Sequence, residues 1–308
     1  MRPDLSALRS TFRGPIVTPS DPGYESARVL FNTRVRTRPA VLCRCEDTDD
    51  VVTAVRFARE AKLPVAVRGG GHHASGFSLV DGGVVIDVGG LKQVDFDPAT
   101  ATAVVGAGCG WRDLDRVTYV DVAVDGERGL PHGYAGPGGD CPTVSNAGYS
   151  MGGGYGLLSR RFGLGCDHIL EAELVDAEGR VLRVAEDGHP DLFWALRGAG
   201  GAGFGVVTKL EYRLDAVPKS VVGGVMGWPI EQAQDVMRAY RLLPGAGFRR
   251  RRARHHCGPV PAVAVGLFDG PLRPARRRRH RPRTGGRYRV RAPRPAVLHL
   301  RHLVVGTR

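Results

Sequence analysis

Residues 65–76, Val-Ala-Val-Arg-Gly-Gly-Gly-His-His-Ala-Ser-Gly, constrain the fold more than any other stretch of this 308-residue chain. A short apolar strand runs straight into three glycines and then two adjacent histidines. Glycine lets a backbone turn sharply and lets its N–H groups approach a ligand with no side chain in the way. A histidine directly behind such a loop is within reach of whatever the loop holds.

The preceding residues give that strand its support. Residues 39–44 read as a strand, and the acidic run 46–50 suits a helix N-terminus because carboxylates favour the positive end of a helix dipole. Val51, Val55, Ala58 and Ala61 follow at helical spacing to about Lys62, and Pro64 opens the strand 65–68. The unit is β-α-β-loop. Strands are expected at 84–88 and 103–106, a short helix at 111–120, paired strands at 169–175 and 181–184 around Glu178-Gly179, a helix at 190–197 and an alternating strand at 205–214. An entry element is expected at 29–32. Residues 121–139 read as loop, with glycine or proline at eight positions. A strand at 221–228 and an amphipathic helix at 230–243 look like the start of a second domain.

Length allows two domains and a sizeable core. No run of about 18 apolar residues occurs, so no membrane span is expected. The N-terminus lacks an apolar signal-peptide core, which favours the cytoplasm. Six scattered cysteines without a C-x-x-C pair argue against a disulfide framework and a structural zinc site, and no metal is expected.

The net charge of +13 is unevenly spread. Residues 249–308 hold 18 Arg, no Lys and a single acid, Asp269, whereas residues 1–248 hold 26 basic and 30 acidic side chains. Lys, Glu, Gln, Asn, Ser, Ile, Met and Trp do not occur after Arg249. Such a tail invites a nucleic-acid reading, as a basic nucleic-acid-associated protein, through phosphate contacts. It lacks interleaved aromatics and any reading module, so nucleic acid is not the favoured partner. A reading-frame disruption between about 245 and 275 explains the loss of eight residue types better, and resequencing the locus tests it. Residues 260–271 still resemble a strand and turn. The stretch 273–308 is expected to be a disordered Arg/Pro-rich tail.

Gly198-Ala199-Gly200-Gly201-Ala202-Gly203 matches G-x-G-x-x-G, but a helix precedes it and a strand follows. The Rossmann fingerprint needs the opposite order. This loop is instead expected to approach a ligand in another fold.

Five motifs in order, Arg68-Gly69-Gly70-Gly71-His72, Cys141-Pro142-Thr143-Val144, residues 152–160 (Gly-Gly-Gly-Tyr-Gly-Leu-Leu-Ser-Arg), Gly163-Leu164 with Asp167, and residues 203–208, carry a resemblance. The chain resembles the berberine-bridge-enzyme-like flavin oxidases, within the p-cresol methylhydroxylase and vanillyl-alcohol oxidase (PCMH) type of FAD-binding fold. The resemblance covers 36–216 continuously and extends weakly to about 245. It implies an α+β fold, with a two-subdomain FAD-binding domain at 36–216 followed by a truncated α+β substrate domain at 217–272.

The resemblance also implies roles. The loop 68–71 would bind the FAD pyrophosphate through backbone N–H groups. His72 matches the histidine bonded to the flavin 8α-methyl, and Cys141 the cysteine bonded to flavin C6 in doubly linked members. His73, Ser75, Gly76, Thr143, Val144, Gly148, Tyr149, Gly152, Gly153 and Val206 would line the cofactor. Histidine and cysteine suit the attachment chemistry because they offer a nucleophilic nitrogen or thiolate near neutral pH. The implied function is FAD-dependent hydride removal from an alcohol, sugar or amine-like small molecule, with dioxygen reoxidising the flavin. A flavin-binding but inactive truncated chain is the alternative. The catalytic residue is left open, with Tyr149, near the flavin, as a candidate. Four departures stand out: Ala74 where relatives often have an aromatic, Tyr149 where they frequently have histidine, a longer 121–136, and no C-terminal Asn-Tyr pair or catalytic tyrosine.

Overall fold

The computed structural model describes residues 3–119, 133–217 and 227–241. They fall in two units, 1–218 and 219–308. In the second unit the described structure is a single turn at Ile230–Gln232 and the helix Ala233–Arg241. Most of the expected strand 221–228, the end of the helix expected to 243, the strand and turn at 260–271 and the Arg-rich tail lie outside the described residues, as does most of 121–139.

The first unit is built on two main sheets. One has four strands in the order β1 (Ile16–Val17), β2 (Val41–Arg44), β4 (Val84–Asp87), β3 (Val65–Arg68). Strands β2 and β3 both run parallel to β4, which lies between them. The β-α-β unit is therefore split by a strand that comes later in the chain. All four β4 residues are buried, as a strand covered on both faces requires.

The second sheet is antiparallel, in the order β5 (Val94–Asp97), β6 (Thr102–Gly106), β10 (Val206–Arg213), β8 (Ile169–Val175), β9 (Val181–Ala185). Strands β8 and β9 pair around the expected turn, where Gly179 takes φ +74°. A small ladder joins β7 (Tyr134–Ala135) to β11 (Asp215–Ala216). Residues 29–32 form no regular element.

Helix α3 (Thr48–Glu60) connects the sheets. Asp47 caps it by accepting Asp50 N–H at 2.9 Å, and Val51, Ala54 and Ala58 form its buried face. Thr48 Oγ1 donates to Glu173 of β8 at 2.7 Å, and Arg56 Nη2 donates to the Gly179 carbonyl at 3.1 Å. One hydrophobic core takes in Val41 and Ile86 from the first sheet and Val105, Leu174 and Leu210 from the second. The remaining helices of this unit are α1 (Ser6–Thr11), α2 (Tyr24–Ala27), α4 (Trp111–Thr118), α5 (Asn146–Met151), α6 (Ser159–Phe162) and α7 (Pro190–Ala199). Among the described residues no helix is long and apolar enough to cross a membrane.

Candidate functional site

The glycine loop leaves β3 beside a buried ion pair. Arg68 and Asp87 are register partners on the parallel strands, and Arg68 Nη2 meets Asp87 Oδ2 at 2.6 Å with the two side chains 13% and 8% exposed. Arg68 Nη1 also donates to the Ala27 carbonyl at 2.5 Å. The guanidinium is therefore committed to structure, and the loop offers a ligand its backbone donors.

Glycine is required at 69 and 70 for a separate reason. A Cβ on Gly69 would lie 2.9 Å from Ser145 Oγ, and one on Gly70 would lie 2.7 Å from the Thr143 carbonyl oxygen. Gly71 takes φ +69° against Leu30. The loop is thus pressed onto residues 143–145. That segment is itself pinned: Trp111 N–H donates to Val144 O, Arg112 N–H to Pro142 O and Asn146 N–H to Cys109 O, all at 3.0–3.2 Å. Ser145 Oγ donates to Ala107 O at 2.7 Å. The N-terminus of α4 therefore fixes the Cys-Pro-Thr-Val segment, and that segment fixes the glycines.

The two histidines part company here. His72 Nε2 lies 2.9 Å from Thr143 Oγ1, and Cys141 Sγ lies 3.4 Å from the same hydroxyl. The His72 ring stacks on Phe31 at 4.7 Å. Burial pushes its pKa below the ordinary imidazole value, which keeps a ring lone pair free at neutral pH. His73 is exposed, stacks on Phe77 at 4.6 Å, and accepts the Ser75 N–H at 3.2 Å. It serves its own turn. Gly76 completes that turn at φ +76° against Val35.

The second glycine run follows α5. Gly148 is exposed within the helix, and a Cβ there would meet nothing within 4 Å among the described residues. Among the described residues neither packing nor a positive φ demands glycine at 148, and its bare backbone leaves room for a group outside the chain to come close. Gly152 is nearly as open, and Gly153 takes φ +109° with nothing near it. Val144 is half-buried against the core.

Two predicted residues have side chains packed within the chain. The Tyr149 phenol is turned inward: it packs edge-on to Trp111 at 5.2 Å and donates to Pro137 O at 3.1 Å. Burial, reinforced by Asp140, pushes its pKa up to about 12, so it holds its proton at neutral pH and is a poor base. Val206 is 4% exposed in the core of the five-stranded sheet, so its side chain packs inward and lines no surface. Residues 30–32, expected only as part of an entry element, also belong to the site. Phe31 covers the His72 ring, Phe31 N–H donates to Gly71 O at 3.2 Å, and Asn32 Nδ2 donates to Ala74 O at 2.8 Å. No local motif marks these residues.

A cavity of about 360 Å³ opens over the loop, lined by Ser26, Val29, Arg44, Gly89 and the three glycines 69–71. A larger one, about 510 Å³, lies at the start of α3 beside Lys92 and Lys209. Those lysines are paired with Asp113 at 2.8 Å and Glu173 at 2.9 Å, and neither the glycine loop nor a linking nucleophile reaches it. The smaller cavity is the one that the glycine loop lines, and neither His72 nor Cys141 is among the residues that line either cavity.

Residues 39–185 match the family model described as an FAD binding domain. Berberine bridge enzyme-like 2 of Arabidopsis thaliana is 36% identical over 251 residues, covering 78% of this chain and 45% of its own. The crystal structure of 6-hydroxy-D-nicotine oxidase from Arthrobacter nicotinovorans superposes with a TM-score of 0.67 at 32% identity, covering 76% of this chain and 49% of that one. Glucooligosaccharide oxidase from Acremonium strictum, described with a 6-S-cysteinyl, 8α-N1-histidyl FAD, superposes with a TM-score of 0.62 at 25% identity, covering 74% and 46%. The chain spans about half the length of the curated relatives it matches.

Proposed function

We propose, from the premise that this chain belongs to the berberine-bridge-enzyme-like family of FAD-linked oxidoreductases, that it holds FAD covalently through His72 and Cys141 and oxidises an alcohol, sugar or amine-like small molecule, with dioxygen as electron acceptor. One observation carries the reading. Two nucleophiles far apart in the chain, His72 and Cys141, share the Thr143 hydroxyl at the edge of a glycine loop.

The residues present fit the cofactor. Glycine N–H groups at 69–71 would hold the pyrophosphate, with Arg68 neutralised by Asp87 and so contributing through its backbone. The bare backbone at Gly148 and Gly153 leaves room for a flat ring to lie close, and the neutral imidazole of His72 and the thiol of Cys141 are the groups that would bond to it. When bound, FAD supplies a two-electron acceptor; the protein supplies position and electrostatics. Phe31 shields one face of the His72 ring, and Tyr149 braces the turn at Pro137.

A second reading is a chain that binds flavin without turnover. Denaturation in acid separates the claims. Colour that stays with the precipitated wild type, one linkage lost in His72→Ala, the other in Cys141→Ala, and none left in the double variant is the expected pattern. Release of all flavin from denatured wild type overturns the covalent reading. Hydrogen peroxide release on a panel of sugars, alcohols and amines then distinguishes an oxidase from an inactive flavin binder.

A further inference from the structure

Thr143 stands between the two groups that would bond to flavin. Its hydroxyl is 2.9 Å from His72 Nε2 and 3.4 Å from Cys141 Sγ. Its backbone cannot drift, because Val144, Pro142 and Asn146 on either side are hydrogen-bonded to residues 109–112 and Gly70 closes against its carbonyl. Phe31 stacks on the imidazole and limits how that ring can tilt. A hydroxyl can accept and donate at once, which neither a thiol nor an alkyl group does as well.

We propose that Thr143 is the positioning residue for flavin attachment: its oxygen accepts the Nε2–H of His72, fixing the tautomer whose lone pair is on Nδ1, while its O–H donates to Cys141 Sγ. One hydroxyl thereby orders both linking nucleophiles. The proposal rests on the covalent reading above. In the step it serves, a flavin C–H and the imidazole N–H are replaced by a C–N bond at the 8α-carbon. The two protons leave to solvent, the Nε2 proton by way of Thr143 Oγ1. The two electrons reduce the ring and pass to dioxygen, which becomes hydrogen peroxide. At C6 a flavin C–H and the thiol S–H are replaced by a C–S bond, with the same release of two protons and two electrons.

The test compares full-length wild type, Thr143→Ser, Thr143→Val and Thr143→Ala, each incubated with FAD in air and sampled over time. Mass spectrometry of the His72 and Cys141 peptides reads how much flavin each carries, and chromatography against synthetic histidylflavin isomers reads which ring nitrogen is bonded. Thr143→Ser should match wild type. Thr143→Val and Thr143→Ala should attach flavin at both sites about tenfold more slowly, the effect of losing one good hydrogen bond, and should yield a mixture of Nδ1 and Nε2 isomers. A purely structural role would slow attachment without mixing the isomers. Thr143→Val equal to wild type in rate and isomer, with wild type flavinylated, overturns this proposal alone; slow attachment with a single isomer overturns it equally. Wild type that binds FAD without any covalent product overturns the covalent reading as well.

Discussion

Gly148→Ala should make the protein more stable and a worse FAD binder at once. The added Cβ meets nothing within 4 Å among the described residues and the position is helical, so none of them resists it. Alanine in place of glycine inside a helix is worth about 0.5–1 kcal/mol, because less backbone entropy is lost on folding. For a domain of this size that raises the melting midpoint by roughly 1–4 °C. If Gly148 lines the cofactor as proposed, the same methyl occupies space the cofactor would use. Forcing one such group into a filled contact costs about 1–3 kcal/mol. That corresponds to a Kd weaker by roughly five-fold to 150-fold. Covalent attachment would hide the loss, so the measurement belongs in a His72→Ala/Cys141→Ala background, where binding is reversible. Thermal melting without FAD gives the first quantity, and titration by quenching of flavin fluorescence gives the second. An unchanged Kd would refute the claim that Gly148 is kept small for a ligand. A lower midpoint without FAD would show that the chain itself needs the glycine.

Two more outcomes follow from the described geometry. Asp87→Ala should destabilise the protein by about 3–5 kcal/mol, because the Arg68 guanidinium is left buried without its counter-charge; denaturant unfolding checks this, and a loss below about 1 kcal/mol would show that solvent reaches the pair. The lowered pKa of His72 makes a statement about pH. Between its folded value and the ordinary value near 6.5 the unfolded chain binds more protons, so this histidine's contribution to stability is present above about pH 6.5 and falls as pH drops through that window. Attachment at His72, followed in Cys141→Ala by acid-stable absorbance, should hold its rate as pH falls to about 6.5 and decline only below it. An inflection at or above the ordinary imidazole value contradicts the burial argument.

Periodic patterns and capping residues act within a few positions of themselves, and they were legible. The helix at 48–60 followed from its acidic start and apolar spacing, and the hairpin around Gly179 from two apolar runs and a turn. Strand β5 went unread although Val94-Asp95-Phe96-Asp97 alternates, because four residues with two aspartates carry little strand preference at a sheet edge. The entry element expected at 29–32 is irregular, since its value lies in contacts to a distant loop. Tyr149 read as a cofactor neighbour because its place in the motif was known; only packing showed its hydroxyl committed to Pro137.

The sequence by itself determined the ordered glycine loops and the histidine and cysteine types beside them, because backbone freedom and nucleophilicity are properties of single residues. Tertiary structure decided what each histidine touches. His72 and His73 are chemically identical neighbours, and they differ only in what the fold brings to each: a pinned threonine and an aromatic from residues far along the chain for one, its own turn for the other. Contacts across tens of residues depend on how β4 inserts between β2 and β3 and on how α4 clamps residues 142–146, and no local pattern encodes either.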